Sequence, residues 1–338
     1  MSTQANDTRP PFVWIALPIV YVVWGSTYLG IHFVVRTMPP MVSAGIRFVV
    51  AATVLAAVLA IRSGPQVLRV PWRRLGTAVL AGLLLLTFGN GLVGVAELHM
   101  STGLAALLVA SVPLWLVVFR WSTGDRPATS TIAGVLVGFG GLALLTLTRG
   151  GGSGSPLGVA IILVAALSWS VGSFLSSRLP MPENPFAASV YEMAAGGVAL
   201  LALGFARGER LHLDQVSRTS WIALAYLVVF GSLAAFTSYV WLLGNAPISL
   251  VGTYAYVNPA VAVLLGVAFA GEHATWTILA GGLIIILGVG LVVSTERRRT
   301  EVSGPAPSGT PPPRRGARRS PRASRSRPER HRRRTGVR

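Results

Sequence analysis

Ten stretches of the chain are apolar over a length that would cross a lipid bilayer, which takes about 20 helical residues. Short connections containing Arg, Gly, Pro and Ser separate them, and none is long enough to fold as a domain. The first stretch lacks a small-residue cleavage site, so it predicts a retained helix rather than a signal peptide. We therefore predict an all-α membrane protein with ten transmembrane helices. The predicted spans are 12–34, 41–62, 75–97, 102–120, 128–147, 157–178, 185–206, 219–242, 247–270 and 275–295.

The composition fits a protein that is mostly surrounded by lipid. Hydrophobic residues make up 52% of the chain and charged residues 12%, whereas soluble domains contain about 25% charged residues. The chain has no cysteine, which excludes disulfide bonds, thiolate metal sites and thiol nucleophiles. The histidines show no metal-binding spacing and no predicted span contains aspartate. We therefore expect no metal, no cofactor and no enzymatic activity.

The positive charge is concentrated after the last predicted span. Residues 297–338 contain 15 arginines and 2 acidic residues, whereas residues 1–296 contain 14 arginines and 9 acidic residues. The final segment has few apolar residues to bury, so we predict a disordered, Arg- and Pro-rich tail over 296–338. Anionic lipid is the nearest polyanion for this tail, and we expect no specific nucleic-acid partner. A tail that only fixes the membrane orientation is an equally good interpretation.

Arginine counts also predict the orientation in the membrane. Ten crossings place both termini on one side, and the loops of that side, together with the N-terminal segment 1–11, contain eight arginines against five on the other side. The tail adds its arginines to the first side. Because basic loops stay in the cytoplasm, we predict a cell-membrane protein with both termini cytoplasmic.

The two halves of the chain repeat a set of residues at a spacing of 145–147. The matched pairs are Trp24 and Trp169, Pro40 and Pro185, Arg47 and Glu192, Pro113 and Pro259, and Gly134 and Gly281. A unit of five helices crosses the membrane an odd number of times, so its second copy must be inverted. We predict two inverted five-helix repeats, 12–147 and 157–295, joined by a Gly/Ser linker at 148–156. Inverted repeats are common in secondary transporters, which bind substrate near the midplane.

Several segments of the chain carry a recognisable family pattern. They are W-G-S-T-Y-L-G-I, P-P-M-V-S-A-G-I-R-F, G-N-G-L-V-G-V-A-E-L and S-T-G-L-A-A-L-L-V-A-S-V-P-L-W in the first half, and T-Y-A-Y-V-N-P-A-V-A-V-L-L-G followed by G-E in the second. Together they resemble the EamA family of the drug/metabolite transporter superfamily. The resemblance covers residues 12–295. It implies ten helices in two halves and a carrier or exporter of metabolites, amino acids or drugs, without indicating a particular substrate. Gly124-Asp125 departs from the Gly-Glu that is common in the family.

Three ionisable residues lie within or at the end of predicted spans, where a charge costs about 2.5–3.5 kcal/mol or more. Arg47 lies about 9 Å from the outer end of the second span, at 1.5 Å per residue. Glu97 closes the third span on the outer side, and Glu192 lies about 10 Å from the inner end of the seventh. Arg47 can reach Glu97 but not Glu192. Glu97 is the candidate proton-responsive group, with a solvated helix end as the alternative. Asp125 and Glu272 each precede a helix and are expected to cap it.

Polar and aromatic residues also cluster near the middle of several spans. The candidate substrate-cavity residues are Trp24, Ser26, Asn90, Glu97, Trp115, Trp169, Ser173, Tyr254 and Asn258. We expect the first, third, fourth, sixth and ninth spans to surround one central cavity. Helix–helix packing is the alternative role, above all for the serines. The G-x-x-x-G at Gly134 and Gly138 favours either close helix packing or a homodimer face.

These features predict a secondary transporter in the cell membrane that exports small molecules by alternating access. The expected partners are a small-molecule substrate, the lipid bilayer and, as coupling ion, a proton. A passive channel is one alternative, but it would need a continuous polar stripe along several helices. A non-transporting membrane scaffold is the other. An intramembrane enzyme would need paired Asp or His groups, which the spans lack.

Overall fold

The computed structural model describes residues 12–124, 127–147, 154–246, 248–252, 254–273 and 275–302, and within these ranges all regular structure is helical. Segment 1–11, Asp125, most of the linker 148–156 and most of the tail 296–338 lie outside the described residues. The long helices are α1 (Val13–Val35), α2 (Pro40–Ser63), α3 (Trp72–Ala96), α4 (Thr102–Ser122), α5 (Thr129–Leu147), α6 (Pro156–Ser176), α7 (Pro185–Ala206), α8 (Arg218–Asn245), α9 (Tyr254–Phe269) and α10 (Trp276–Val302).

Seven of these helices, α1–α4 and α6–α8, are long and apolar enough to cross a membrane. The other three contain shorter apolar segments, which are Thr129–Gly141, Val257–Phe269 and Trp276–Val292. Many outward-facing side chains are large and apolar, among them Ile61, Leu136 and Leu264. Such a surface is stable against lipid and not against water. The chain is therefore an all-helical, multi-pass membrane protein.

Three span predictions differ from the structure in their backbone detail. Helix α4 is interrupted at Ala110 and Ser111 because Pro113, in the first turn of its second part, has no N–H to continue the hydrogen-bond ladder. The ninth predicted span consists of a one-turn helix, Ile248–Val251, followed by α9. Helix α10 continues to Val302, into the predicted tail, since Glu and Arg are good helix formers.

Two glutamates from loops of the second half stabilise helix N-termini of the first half. Glu209 accepts hydrogen bonds from the backbone N–H groups of Met41 and Val42 at the start of α2. Glu272 accepts them from Thr102 and Gly103 at the start of α4, at 2.6 and 3.1 Å. Both carboxylates satisfy N–H groups that have no partner within their helix and face the positive end of its dipole.

The prediction that Glu272 caps the helix that follows it is therefore wrong. Thr275 takes that position, because its hydroxyl accepts the N–H of Ile278 in the first turn of α10. The Glu272 side chain instead lies over Gly266, where a Cβ atom would come within 2.5 Å of its carboxylate. A glycine on α9 thus lets this carboxylate reach α4.

The helices pack in two corresponding sets around one apolar core. Helix α2 packs along α7 and α5 along α10, while α1 packs against α8 and α9, and α6 against α3 and α4. Each set contains one π-helical segment, Leu83–Asn90 in α3 and Leu227–Phe236 in α8. A π-helical segment widens the helix and rotates the side chains that follow it, and such segments occur often at functional sites.

The G-x-x-x-G motif of α5 packs within the chain. A Cβ on Gly134 would come within 2.9 Å of the Gly288 carbonyl oxygen, and one on Gly138 within 2.6 Å of Leu114. These glycines therefore allow α5 to pack closely on α10 and α4. The motif does not present a free face to a second copy of the chain.

Candidate functional site

A cavity of about 50 Å³ lies between helices α1, α3, α4, α6 and α9. These helices correspond to the five spans that we expect from the sequence to surround a central cavity. Its wall is apolar around Ile31, Val93 and Val109, with the small residues Gly89, Ala165 and Ala166. The polar and aromatic side chains of the wall are Trp24, Thr27, Tyr28, Asn90, Trp169, Tyr254 and Asn258. Five of these seven are candidate residues from the sequence, and Thr27 and Tyr28 are additional.

Four aromatic rings pack together at one side of this cavity. Trp24 is central, with its ring centroid 5.3 Å from Trp169, 4.8 Å from Tyr239 and 5.4 Å from Tyr254. The contacts of Trp24 with Trp169 and Tyr254 are edge-to-face, a favourable arrangement of ring quadrupoles. We call these four residues the aromatic cluster. Trp24 and Trp169 lie on the first long helix of each half.

Hydrogen bonds behind the rings hold the aromatic cluster in place. The Trp24 ring N–H donates to the carbonyl oxygen of Gly231 at 3.4 Å, within the π-helical segment of α8. The hydroxyls of Tyr239 and Ser173 are 2.7 Å apart and hydrogen-bonded. Ser173 therefore supports the cluster from outside the cavity wall.

The side-chain amide of Asn258 donates hydrogen bonds to its own helix and to a neighbouring helix. With its amide nitrogen directed at two main-chain carbonyls, it donates to Tyr254 O at 3.2 Å and to Tyr21 O at 2.9 Å. It lies one turn after Tyr254 on α9, so both side chains face the cavity. This contact joins α9 to α1 at the cavity wall.

Arg47 is buried beside the cavity, with 3% of its surface exposed. Its Nε donates to Ser232 Oγ at 2.8 Å and its Nη1 to Asn90 Oδ1 at 3.3 Å. The guanidinium carbon lies 4.7 Å from the ring centroid of Phe48. Arg47 lines a smaller cavity of about 20 Å³, which shares Ile31 and Asn90 with the larger one. Asn90 thus faces the large cavity and holds the guanidinium.

The expected contact between Arg47 and Glu97 is absent among the described residues, where Arg47 has no acidic partner. Glu97 follows the last residue of α3, is 6% exposed and does not line either cavity. Neither of its carboxylate oxygens has a hydrogen-bond partner in the described part of the chain. Glu192 on α7 is also buried, and its Oε2 likewise lacks a partner there.

Two other candidates lie away from the cavity. The hydroxyl of Ser26 is hydrogen-bonded to that of Tyr226 on α8. Trp115 packs edge-to-face on Phe139 of α5, with ring centroids 5.1 Å apart. Within the described ranges, no group of three or more His, Cys, Asp or Glu side chains is placed to hold a metal ion.

Sequence reasoning did not select Tyr239 for the aromatic cluster. Tyr239 lies beyond the π-helical segment Leu227–Phe236, which rotates it relative to the face that regular helix spacing predicts. Its hydrogen bond to Ser173, itself a candidate, is a contact between distant parts of the chain that spacing alone does not reveal.

Comparisons with known proteins give one consistent family. The model of the EamA-like transporter family matches residues 12–147 and again 156–294. The uncharacterized inner membrane transporter YedA of Escherichia coli (strain K12) is 40% identical over 258 residues, which cover 76% of this chain and 82% of YedA. A probable terminal-alkyne amino-acid exporter of Streptantibioticus cattleyicolor is 28% identical, over 87% of this chain and 97% of that protein. A crystal structure with 22% identity has the same fold, with a TM-score of 0.62 over 85% of this chain and 98% of that one.

Proposed function

The chain belongs to the EamA-like transporter family of the drug/metabolite transporter superfamily, and we propose that it exports small metabolites, amino acids or drugs by alternating access. The observation that carries this proposal is the small cavity between helices of both halves. It has room for only a few water molecules, at about 10–15 Å³ each, whereas ligand pockets measure about 300–1,000 Å³. Substrate entry therefore requires the helices around the cavity to separate.

We also propose that the chain crosses the inner membrane ten times as two inverted halves, with both termini in the cytoplasm. The corresponding helix contacts support this, since α1 contacts α8 and α9 as α6 contacts α3 and α4. The two π-helical segments, one in the third helix of each half, support it as well. The similarity to the probable terminal-alkyne amino-acid exporter of Streptantibioticus cattleyicolor supports export as the direction of transport.

A proton is the proposed coupling ion, with Glu97 as the group that carries it. A buried carboxyl without hydrogen-bond partners is far less costly as the neutral acid than as the carboxylate. Opening of the outer side would bring water to Glu97 and favour release of its proton. Proton release on one side and uptake on the other would couple transport to the proton gradient.

A passive channel fits the cavity less well. A channel needs a continuous polar path, whereas the aromatic cluster closes the cavity on one side and the other wall is largely apolar. A non-transporting scaffold does not account for a cavity that helices of both halves line with polar and aromatic side chains.

The test of export is to fill the cavity without changing the outer surface. Ala165→Phe places a large ring in the cavity wall of α6, while Val164→Phe adds the same ring to the neighbouring residue, which is 54% exposed. Cells that express the parent, each variant or no protein are compared by untargeted mass spectrometry of intracellular and external metabolites. We expect a metabolite that the parent and Val164→Phe release equally and Ala165→Phe does not, at equal membrane abundance. Equal release by Ala165→Phe would contradict transport through this cavity.

A further inference from the structure

We propose that Arg47, with Asn90 and Ser232, forms an anion-binding subsite at the edge of the central cavity and that the substrate is a small carboxylate with an apolar body. This inference rests on the proposed function and names the substrate class of the same cavity. It starts from a charge that the described residues leave without a counter-charge.

The guanidinium of Arg47 is buried, and its hydrogen-bond partners among the described residues are neutral. A guanidinium has five N–H donors, and the described residues accept two hydrogen bonds from it, at Ser232 and Asn90. Nη2 makes none to a described residue, although it lies beside Gly231, where a Cβ would come within 2.7 Å of it. A buried charge is normally paired, because an unpaired one is costly. A substrate anion would supply the missing partner.

The cavity that Arg47 lines is adjacent to the central cavity. Arg47 lines the smaller cavity, and Asn90 and Ile31 belong to the walls of both cavities. The missing side chain at Gly231 makes room for Nη2 against α8, and Ser232 and Asn90 hold the guanidinium where it lines the smaller cavity. A ligand in the central cavity would therefore reach the guanidinium past the side chain of Asn90. The fork of donors matches the two oxygens of a carboxylate.

The charge balance favours a carboxylate over a phosphate ester. One arginine balances one negative charge, whereas a phosphate monoester carries about −1.5 to −2 at neutral pH. No acidic side chain among the described residues lines either cavity, so a substrate ammonium group would find no carboxylate. The aromatic rings pack on one another at 4.8–6.0 Å between centroids, which leaves no space between them for a cation. The remaining wall suits an uncharged apolar body.

The test measures binding to the purified full-length protein in lipid nanodiscs. The probes are matched pairs of an acid and its amide, namely 3-phenylpropanoate, indole-3-acetate and hexanoate with the three corresponding amides. We expect at least one acid to bind about tenfold or more tightly than its amide, because hydrogen bonds to a charged group have that effect on affinity. Arg47→Gln should remove the difference between acid and amide, and Arg47→Lys should keep part of it. Arg62→Gln, an exposed arginine near the other end of α2, is the matched control and should bind as the parent does.

Equal binding of acids and amides by the parent would overturn the subsite, as would failure to bind any of the six probes. The comparison within the parent stays valid even if Arg47→Gln does not fold. A purely structural role of Arg47 would weaken acid and amide equally. The export experiment on Ala165→Phe separates this inference from the proposed function. If the released metabolite is neutral or cationic, the chain is an exporter without an anion subsite.

Discussion

Substitution of Gly288 by alanine tests the packing of α5 on α10 directly. A Cβ at this position would lie 2.4 Å from Gly138 N and 2.6 Å from Gly138 Cα, whereas ordinary contacts begin at 3.4 Å. The obstructing atoms are backbone, so the two helices must separate by about 1 Å along a face that also contains Gly134 and Gly141. Overpacking of this kind costs about 1–3 kcal/mol. Helices α5 and α10 have short apolar segments and depend on this contact.

Gly140→Ala is the matched control for Gly288→Ala. Gly140 lies on α5, and a Cβ there would meet no atom within 4 Å. Alanine at an unobstructed helix position stabilises by about 0.5–1 kcal/mol relative to glycine. The purified variants are heated in detergent and the fraction that stays monodisperse is measured by size-exclusion chromatography. We expect Gly288→Ala to lose monodispersity several degrees below the parent and Gly140→Ala at or above it. Equal midpoints for the two variants would refute the close approach of α5 and α10.

Three further predictions concern the site and the orientation. Tyr239→Phe and Ser173→Ala should each lower the free energy of unfolding by about 0.5–1.5 kcal/mol. The double variant should lose less free energy of unfolding than the sum of the two single variants, because both substitutions remove the same hydrogen bond. Since the chain has no cysteine, single cysteines introduced in 297–338 should react with an impermeant thiol reagent only after the membrane is opened. Glu97→Gln should abolish the accumulation of substrate that a pH difference across the membrane drives, and it should leave substrate exchange intact.

Each of these predictions has an outcome that contradicts it. Full additivity of the two hydroxyl deletions would show that Tyr239 and Ser173 do not interact. Labelling of intact cells at 297–338 would place the tail outside, and a cysteine at position 208, in a loop that we predict to be external, is the positive control. Unchanged pH-driven transport by Glu97→Gln would leave Glu97 without a role in coupling.

The positions of the helices could be predicted from the sequence because the apolar runs are long and their ends carry clear signals. Helix α7 begins at the predicted residue, since Asn184 caps it and Pro185 starts it. The interruption of α4 and the π-helical segments could not be predicted in this way. Hydropathy indicates only whether a residue prefers lipid to water. The interruption and the π-helical segments depend instead on which backbone carbonyl accepts the hydrogen bond from each N–H.

The predicted positions of the candidate residues agree with the cavity wall where residues share a helix face and differ from it where they do not. Their role in substrate binding stays a prediction. Tyr254 and Asn258, four residues apart, both face the cavity. Ser26 follows Trp24 by two residues, and residues two apart on a helix point in different directions, so its contact with Tyr226 instead of the cavity follows from spacing. Glu97 is seven residues from Asn90 and continues the helical backbone of α3, but it lies about two turns beyond Asn90 and lines neither cavity.

The proposed inverted repeat also explains which matched residues meet. Two inverted halves are related by an axis in the membrane plane, so equivalent residues touch only where they lie close to that axis. Trp24 and Trp169 are equivalent and their rings are in contact at 5.3 Å, which places the axis beside the cavity. Arg47 and Glu192 are equivalent as well, yet Arg47 bonds to Asn90 and Ser232 and not to Glu192. In the proposed inverted arrangement their distance from the axis puts them at different depths, and the described residues offer Arg47 no acidic partner beside the cavity.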